Sequence, residues 1–251
     1  FITVAPPYRG GISKHSTILT EKLSQMHSVD VINYKRQYPD FLFPGKTQFS
    51  SEKEGITSAR LIDSINPLNW FITGRKIAKQ NYDLVVFRFW NPFFAPALGI
   101  IAGILKRKSP LTRLMSLCDN ILPHENMPLG AFFTEYFMHK MDGHLVQSTQ
   151  TEKELHDILT SPKYIKRFHP LYDCFPGKME KMTARKKLNI DSKYVILYFG
   201  LIREYKGFDI LLKAITCLKK LRNDFHVIAA GECYGDPQKY EQIIKEEKLE
   251  E

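Results

Sequence analysis

No apolar run in this sequence is long enough to cross a bilayer. The most apolar stretch, FFAPALGIIAGIL at residues 93–105, falls short of the roughly 20 residues a spanning helix needs and carries Pro96. It reads as a buried helix. No charged segment followed by an apolar one opens the chain, which starts without Met and inside an apparent strand. Paired cysteines are missing as well. Cys118, Cys174, Cys217 and Cys233 form no C-x-x-C and no zinc spacing, and each sits in or beside an apolar run. That usage argues for reduced thiols in a cytosolic protein.

Several catalytic signatures are absent too. There is no H-E-x-x-H, G-x-S-x-G or Asp-x-Asp, and His124-Glu125 is followed by Asn126-Met127-Pro128, which breaks a zinc-helix pattern. Metal-dependent chemistry therefore has no support in the sequence, and no metal is expected. FPGKTQ ends like a phosphate-binding P-loop, but Asp40 stands where the motif needs its first glycine and no strand precedes it. A dinucleotide fingerprint fails similarly: the first turn offers only Gly10-Gly11, and the second strand ends in Asn33-Tyr34-Lys35-Arg36 rather than an acid.

What is present is an ordinary globular composition with a basic balance. Of 251 residues 43% are hydrophobic, enough for a real core and too many for disorder. Lys and Arg exceed Asp and Glu by 36 − 27 = +9, spread along the chain, a field that favours nucleotide phosphates, anionic lipid surfaces or nucleic acid. Strand-like and helical runs alternate: strands at 1–5, 29–34, 84–89, 113–117 and 144–147, helices at 12–26, 68–80, 93–106, 131–141 and 151–159. Strands apolar throughout, alternating with helices, predict a parallel sheet covered on both faces. After a Pro- and Lys-rich passage at 169–187, expected to be a linker, the pattern restarts with strands at 194–199 and 225–230 and helices at 208–221 and 237–248. The chain stops inside the last helix, so the sequence reads as a fragment, with one complete α/β domain at 1–172 and the first part of another at 173–251. A segment at 35–58 lacks periodicity; with Tyr38, Phe41, Phe43 and Phe49 it is either a binding element or a loop folded onto its own side chains.

Two stretches look suited to an anion. In APPYRGGIS, residues 5–13, a glycine pair joins a strand to a helix, with an ordinary tight turn as the rival reading. In YVILYFGLIREYKGFDILLKAI, residues 194–215, a buried strand ends at Phe199-Gly200, a turn presents Arg203 and Lys206, and Gly207 opens a helix with Phe208, Leu211, Leu212 and Ile215 inward. Two cations beside a helix N-terminus suit a diphosphate leaving group, whereas a solvated turn is the plainer alternative.

The pattern FG-x-x-R-x-x-KG-x-D-x-LL-x-A from Phe199 to Ala214 resembles the start of the C-terminal domain of retaining nucleotide-sugar glycosyltransferases of family 4, which have the GT-B architecture. PYRGGISKH is similar to that family's N-terminal glycine-rich loop, SLCDNILPHE to its loop after the fourth strand, VQSTQTEKEL to its strand–helix junction, and IAAGECYGD to its G-x-G-like turn. The resemblance implies an α/β fold of GT-B type: a complete Rossmann-like N-terminal domain on the acceptor side, and part of a nucleotide-sugar-binding domain.

It implies that Gly10 and Gly11 meet the sugar diphosphate, that Arg203 and Lys206 neutralise it as it leaves, and that Gly200, Gly231 and Glu232 line the donor pocket. Either Asp119 or His124 takes the polar place beside the donor sugar. Arg9, Lys14, Tyr38 and Lys46 are acceptor-side candidates, with Arg9 open to acceptor, phosphate or solvent. The family's Glu-x7-Glu motif is absent, as no two glutamates stand eight apart; a truncated, inactive fragment is the expectation.

The implied activity is transfer of a hexose-type sugar from a nucleotide diphosphate to a saccharide or lipid-linked acceptor with retention of configuration. No cofactor beyond the nucleotide-sugar substrate is implied. The cleft between the two domains is expected to hold donor and acceptor, the protein to be cytoplasmic, and the basic balance and aromatic loop to suit contact with the inner face of an anionic membrane. A GT-B nucleotide-sugar epimerase is a second reading, for which the first domain offers few acid/base groups at strand ends. A non-catalytic module binding nucleic acid is a third; no aromatic and cationic residues interleave as that requires, so no nucleic-acid partner is expected.

Overall fold

The computed structural model describes residues 1–43, 45–50, 55–122 and 129–250. Contacts divide the chain into two units, Phe1–Leu42 with Thr47–Leu171, and Phe43–Lys46 with Tyr172–Glu251.

The first unit is built on a parallel sheet. Its strands are β1 (Ile32–Arg36), β2 (Ala59–Asp63), β3 (Leu84–Phe89), β4 (Arg113–Cys118), β5 (Gly143–Val146) and β6 (Tyr164–Lys166). β1 pairs with β2, and β3 through β6 pair in sequence, every pair parallel. Ile2 joins the two sets through parallel bridges to Ile32 and Phe87, giving the order β2, β1, Ile2, β3, β4, β5, β6.

The helices are α1 (Gly11–Leu23), α2 (Pro67–Ala78), α3 (Ala95–Lys108), α4 (Gly130–Met138) and α5 (Thr149–Ile158). The connections through α2, α3 and α4 all step across the sheet in one direction, and the right-handed crossover rule puts them in one layer on one face. α1 returns the other way and covers the opposite face. α3, the apolar stretch of the sequence, is the buried centre of its layer, with Ala95, Leu98, Ile101, Ala102 and Leu105 all inside. Its neighbours approach closely: a Cβ on Gly74 of α2 would lie 2.8 Å from Ile104 of α3, and one on Gly99 of α3 would lie 2.7 Å from the Tyr136 ring of α4.

In the second unit, β7 (Tyr194–Phe199) and β8 (Phe225–Ala230) pair in parallel, with α6 (Lys181–Lys187) before them and α7 (Phe208–Lys219) and α8 (Gln238–Glu246) following each strand. Ile202, Phe208, Leu212, Ile215 and Tyr240 form its core, and the expected inward residue Leu211 packs against that core partly exposed.

Four sequence expectations change. The strand expected at 1–5 contracts to a bridge at Ile2, because the Asn33 side chain accepts from the Ala5 amide (3.3 Å) and donates to the Ala5 carbonyl (2.8 Å), and two prolines follow. A strand, β2, stands at 59–63 where none was read; it is an outer strand of the sheet order whose sequence ARLID mixes charges, two of its five residues are exposed, and Asp63 is paired with Arg36. β6 is a three-residue edge strand, too short to announce itself. The linker passage contains α6, which Glu180 caps by accepting the Thr183 amide at 2.8 Å and which buries nothing.

Element ends elsewhere move by up to three residues. Among the described residues no helix is long and apolar enough to cross a membrane. Cys118 is buried, Cys233 half-buried, and Cys174 and Cys217 are exposed.

Candidate functional site

In parallel α/β units ligands gather at the carboxyl ends of the strands. In the first unit that edge carries the Gly10–Gly11 turn. Gly10 is the N-cap of α1 with φ +110°, a conformation that favours glycine. A Cβ on Gly10 or Gly11 would meet nothing within 4 Å, so the space above the helix end is open.

The helix geometry leaves the amides of Gly11, Ile12 and Ser13 without intrahelical partners, and no side chain caps them. Pro6, Tyr8, Arg9, Gly10, Ser13, Lys14 and Ser50 line a cavity of about 110 Å³ at this end. The Ser13 hydroxyl, in a residue 3% exposed, has no hydrogen-bond partner among the described residues. An orphaned buried hydroxyl beside free amides and two cations is a cradle with the chemistry for an anion.

Beneath this turn lies a charge pair that sequence reasoning missed. Arg88, 2% exposed on β3, donates through Nε and Nη2 to both oxygens of Asp119 at 2.6 and 2.7 Å, and through Nη1 to Ser16 Oγ at 3.2 Å. Asp119, a candidate for contact with a donor sugar, thus has both carboxylate oxygens engaged by a guanidinium. The loop that continues from it is pinned by α5: Thr151 Oγ1 donates to the Asp119 carbonyl at 3.2 Å, and Glu154 Oε2 accepts the amides of Ile121 and Leu122 at 3.0 and 3.2 Å. The motif VQSTQTEKEL therefore both caps α5, through Ser148, and holds the loop after β4. His124 lies outside the described residues. His15, on the second turn of α1, stacks on His169 with centroids 4.3 Å apart. Burial, then the Arg88 and His169 charges, push its pKa down to about 4.

The aromatic segment divides. Tyr38 stacks on Phe93 (centroids 5.4 Å), meets Phe94 edge-on and receives the Trp90 indole N–H at 3.3 Å, so this acceptor-side candidate is a packing residue. Phe49 stacks on Tyr8 at 5.1 Å, with the Arg60 guanidinium over both rings, while Phe41 stays 84% exposed. Arg9 and Gly10 are exposed and Lys14 half-buried at the mouth of the α1 cavity.

In the second unit the corresponding edge is made by the turns after β7 and β8. Gly200 (φ +126°) leads into a 3₁₀ turn, Glu204–Lys206, and left-handed Gly207 (φ +68°) starts α7. Arg203 caps that turn half-buried, its guanidinium 4.8 Å from the centre of the Tyr234 ring. The Lys206 ammonium lies 3.8 Å from where a Gly200 Cβ would be.

Gly231 touches the same turn: a Cβ there would sit 1.8 Å from the Gly200 carbonyl oxygen, so no other residue fits. Pairing runs on past both glycines, with Ile202 N donating to Glu232 O and Tyr234 N to Ile202 O, each at 2.9 Å. Glu232 Oε1 accepts the Lys46 amide at 2.7 Å, which accounts for one oxygen of a donor-pocket candidate and the backbone of an acceptor-side one.

The residues that sequence reading did not single out are Ser13, Arg88, Glu154 and Tyr234. An arginine inside an apolar strand was a usable signal; Glu154 and Tyr234 act through partners far away in sequence, and Ser13 is set apart by its buried, unpartnered hydroxyl.

No protein-family model and no curated protein matches this chain. Solved structures do. The crystal structure of Anabaena Alr3699/HepE in complex with UDP and glucose aligns with a TM-score of 0.66 at 13% identity, over 99% of this chain and 66% of that one. The same protein in complex with UDP gives 0.56 at 14% identity, over 77% and 53%. The apo structure of OtsA gives 0.57 at 12% identity, over 98% and 68%. These are GT-B glycosyltransferases, and the parallel α/β units of this chain share their fold. The chain spans between about half and two thirds of the HepE chain.

Proposed function

We propose that this chain belongs to a glycosyltransferase that moves a hexose-type sugar from a nucleotide diphosphate to a saccharide or lipid-linked acceptor, with retention at the anomeric carbon. The observation that carries the proposal is the turn from Gly200 to Lys206, which sets an arginine and a lysine beside a helix N-terminus at the carboxyl edge of β7 and β8. The fold shared with a protein crystallised with UDP and glucose supports a nucleoside diphosphate sugar as the donor class.

In the reaction we assign, the bond from the anomeric carbon to the diphosphate breaks as a bond to the acceptor hydroxyl forms on the same face. A phosphate oxygen takes the hydroxyl proton. Arg203 and Lys206 stabilise the negative charge that grows on the leaving diphosphate, which is where fixed charge lowers a barrier most. Arg203 supplies a planar fork held by the Tyr234 ring, and Lys206 a mobile point charge. In the first unit, the open end of α1 with Ser13, Arg9 and Lys14 takes an anionic group of a substrate.

Binding tests this without requiring turnover. UDP titrated calorimetrically into the chain should bind, and Arg203→Ala and Lys206→Ala should each weaken it by about tenfold or more, the scale of a charge-assisted contact. Unchanged affinity in both variants defeats the assignment. A nucleotide sugar incubated alone should stay unepimerised; a new epimer in its NMR spectrum would establish the epimerase reading instead.

A further inference from the structure

A surface that the proposed reaction does not use stands on the outer side of the α2–α3–α4 layer. α2 exposes one stripe along its length: Leu68 (75%), Phe71 (53%) and Ile72 (67%), then Arg75, Lys76 and, at the cap, Lys79. α4 repeats the pattern with Leu129 (68%) at its N-cap, then Phe132 (62%) and Tyr136, whose ring carries the Lys140 ammonium at 4.7 Å. α3, packed between them, ends in Lys106, Arg107 and Lys108. All three helices run against the strands. Their apolar N-terminal halves therefore form a band near the carboxyl edge of the sheet, and their cationic ends a second band at the far edge.

Isolated exposed apolar side chains are ordinary, but large ones aligned on neighbouring helices mark an interaction surface. The charges identify the partner. Residues 64–82 and 90–112 contain no Asp or Glu at all, while Arg75, Lys76, Lys79, Arg107 and Lys108 are exposed. The acids nearest to them in α4 and after it are already engaged, Glu135 by His139 at 3.5 Å and Asp142 by Lys106 at 2.5 Å. A second copy of this face would bring more cations than carboxylates to meet these cations.

We propose that this face docks on an anionic lipid bilayer, the apolar band entering the headgroup boundary and the lysine and arginine stems reaching lipid phosphates beside it. The inference stands independently of the transferase assignment. It also moves the membrane contact away from the aromatic segment at 38–49, where Tyr38 packs onto Phe93.

Flotation of the whole chain with vesicles provides the test. It should float with equal parts phosphatidylglycerol and phosphatidylcholine, and not with phosphatidylcholine alone. Each cation near such a surface strengthens binding about fivefold, so Arg75→Gln with Lys76→Gln and Lys79→Gln should reduce partitioning by about a hundredfold. Phe71→Ser with Phe132→Ser should reduce it about tenfold through lost apolar insertion. All these side chains are exposed, so circular dichroism should remain that of the parent. Phe41→Ser, outside the patch, should bind normally. The proposal fails if vesicles are ignored, if neutral vesicles bind equally, if the patch variants float like the parent, or if Phe41→Ser abolishes flotation. It fails equally if the chain dimerises and the patch substitutions only separate the dimer.

Discussion

Replacing Asp119 by Asn should destabilise the first unit far more than its modest chemistry suggests. Arg88 is 2% exposed, and the carboxylate that takes two of its N–H groups is the acid that neutralises it. Removing one partner of a buried pair costs about 3–5 kcal/mol. Because the Asp119 side chain is 17% exposed, and Asn still offers one acceptor, we expect about 2–4 kcal/mol here.

Arg88→Met is the milder change. It leaves a carboxylate that can still reach water, and Ser16 keeps its 2.6 Å bond to Thr3; about 1–3 kcal/mol is expected. The two substitutions together should cost no more than Asp119→Asn alone, since no charge is then stranded.

The assay is direct, because the chain's two tryptophans, Trp70 and Trp90, both belong to the first unit, so intrinsic fluorescence during urea unfolding follows that unit alone. With a slope near 2 kcal/mol per M urea, the Asp119→Asn midpoint should fall by about 1–2 M. Single variants that each cost under about 0.5 kcal/mol, or a strictly additive double variant, would refute the picture of one coupled pair holding the base of the α1 turn.

Ser13→Ala should separate binding from stability: removing an unpartnered buried hydroxyl should leave stability unchanged or raise it by up to about 1 kcal/mol, a rise of up to about 0.5 M in the urea midpoint, while weakening binding of inorganic phosphate measured by titration. Equal phosphate affinity would mean that the hydroxyl faces no anion. Acid should weaken the first unit through His15 and His144, whose pKa values burial pushes from 6.5 down to about 4. The unfolded chain takes up protons near pH 6.5 and the folded chain resists until about 4, so stability is complete above that window and falls as pH descends through it, by about 2 kcal/mol per histidine at pH 5. A tryptophan-monitored urea midpoint that is the same at pH 7 and pH 5 would contradict this.

The parallel α/β architecture was legible because its strongest signals are local. Apolar strands such as LVVFRF and YVILYF, and the helix from Ala95, announce themselves by composition alone. The edge strands did not. β2 and β6 are five and three residues long and part exposed, so neither apolar run nor alternation marks them. The first strand was overread because Asn33, distant in sequence, substitutes its side-chain amide for the ladder at Ala5. For the site, the types of residue were readable but their partners were not. Nothing in SLCDN says that Asp119 is bound to Arg88, and nothing in the 35–50 stretch says that Tyr38 turns onto Phe93 while Phe41 faces solvent.

The glycines show most clearly where sequence reading stops. In the string they are interchangeable marks of a turn, yet four of them are required or free for different physical reasons. Gly10 is set by its positive φ, and no atom stands near it; Gly11 has neither constraint, and a methyl group there would project into open space at the helix end. Gly11→Ala is therefore sterically tolerable to the fold, and its cost would fall on whatever approaches those amides. Gly200 combines a positive φ with the Lys206 ammonium alongside it, so a side chain there would strain the backbone and crowd a cation. Gly231 is fixed by the fold itself, since any Cβ would collide with the Gly200 carbonyl. Substitution at 231 would thus report on the folding of the second unit, whereas substitution at 11 would report on a ligand. A glycine whose missing side chain leaves room that the folded chain does not fill is the one whose identity speaks for function.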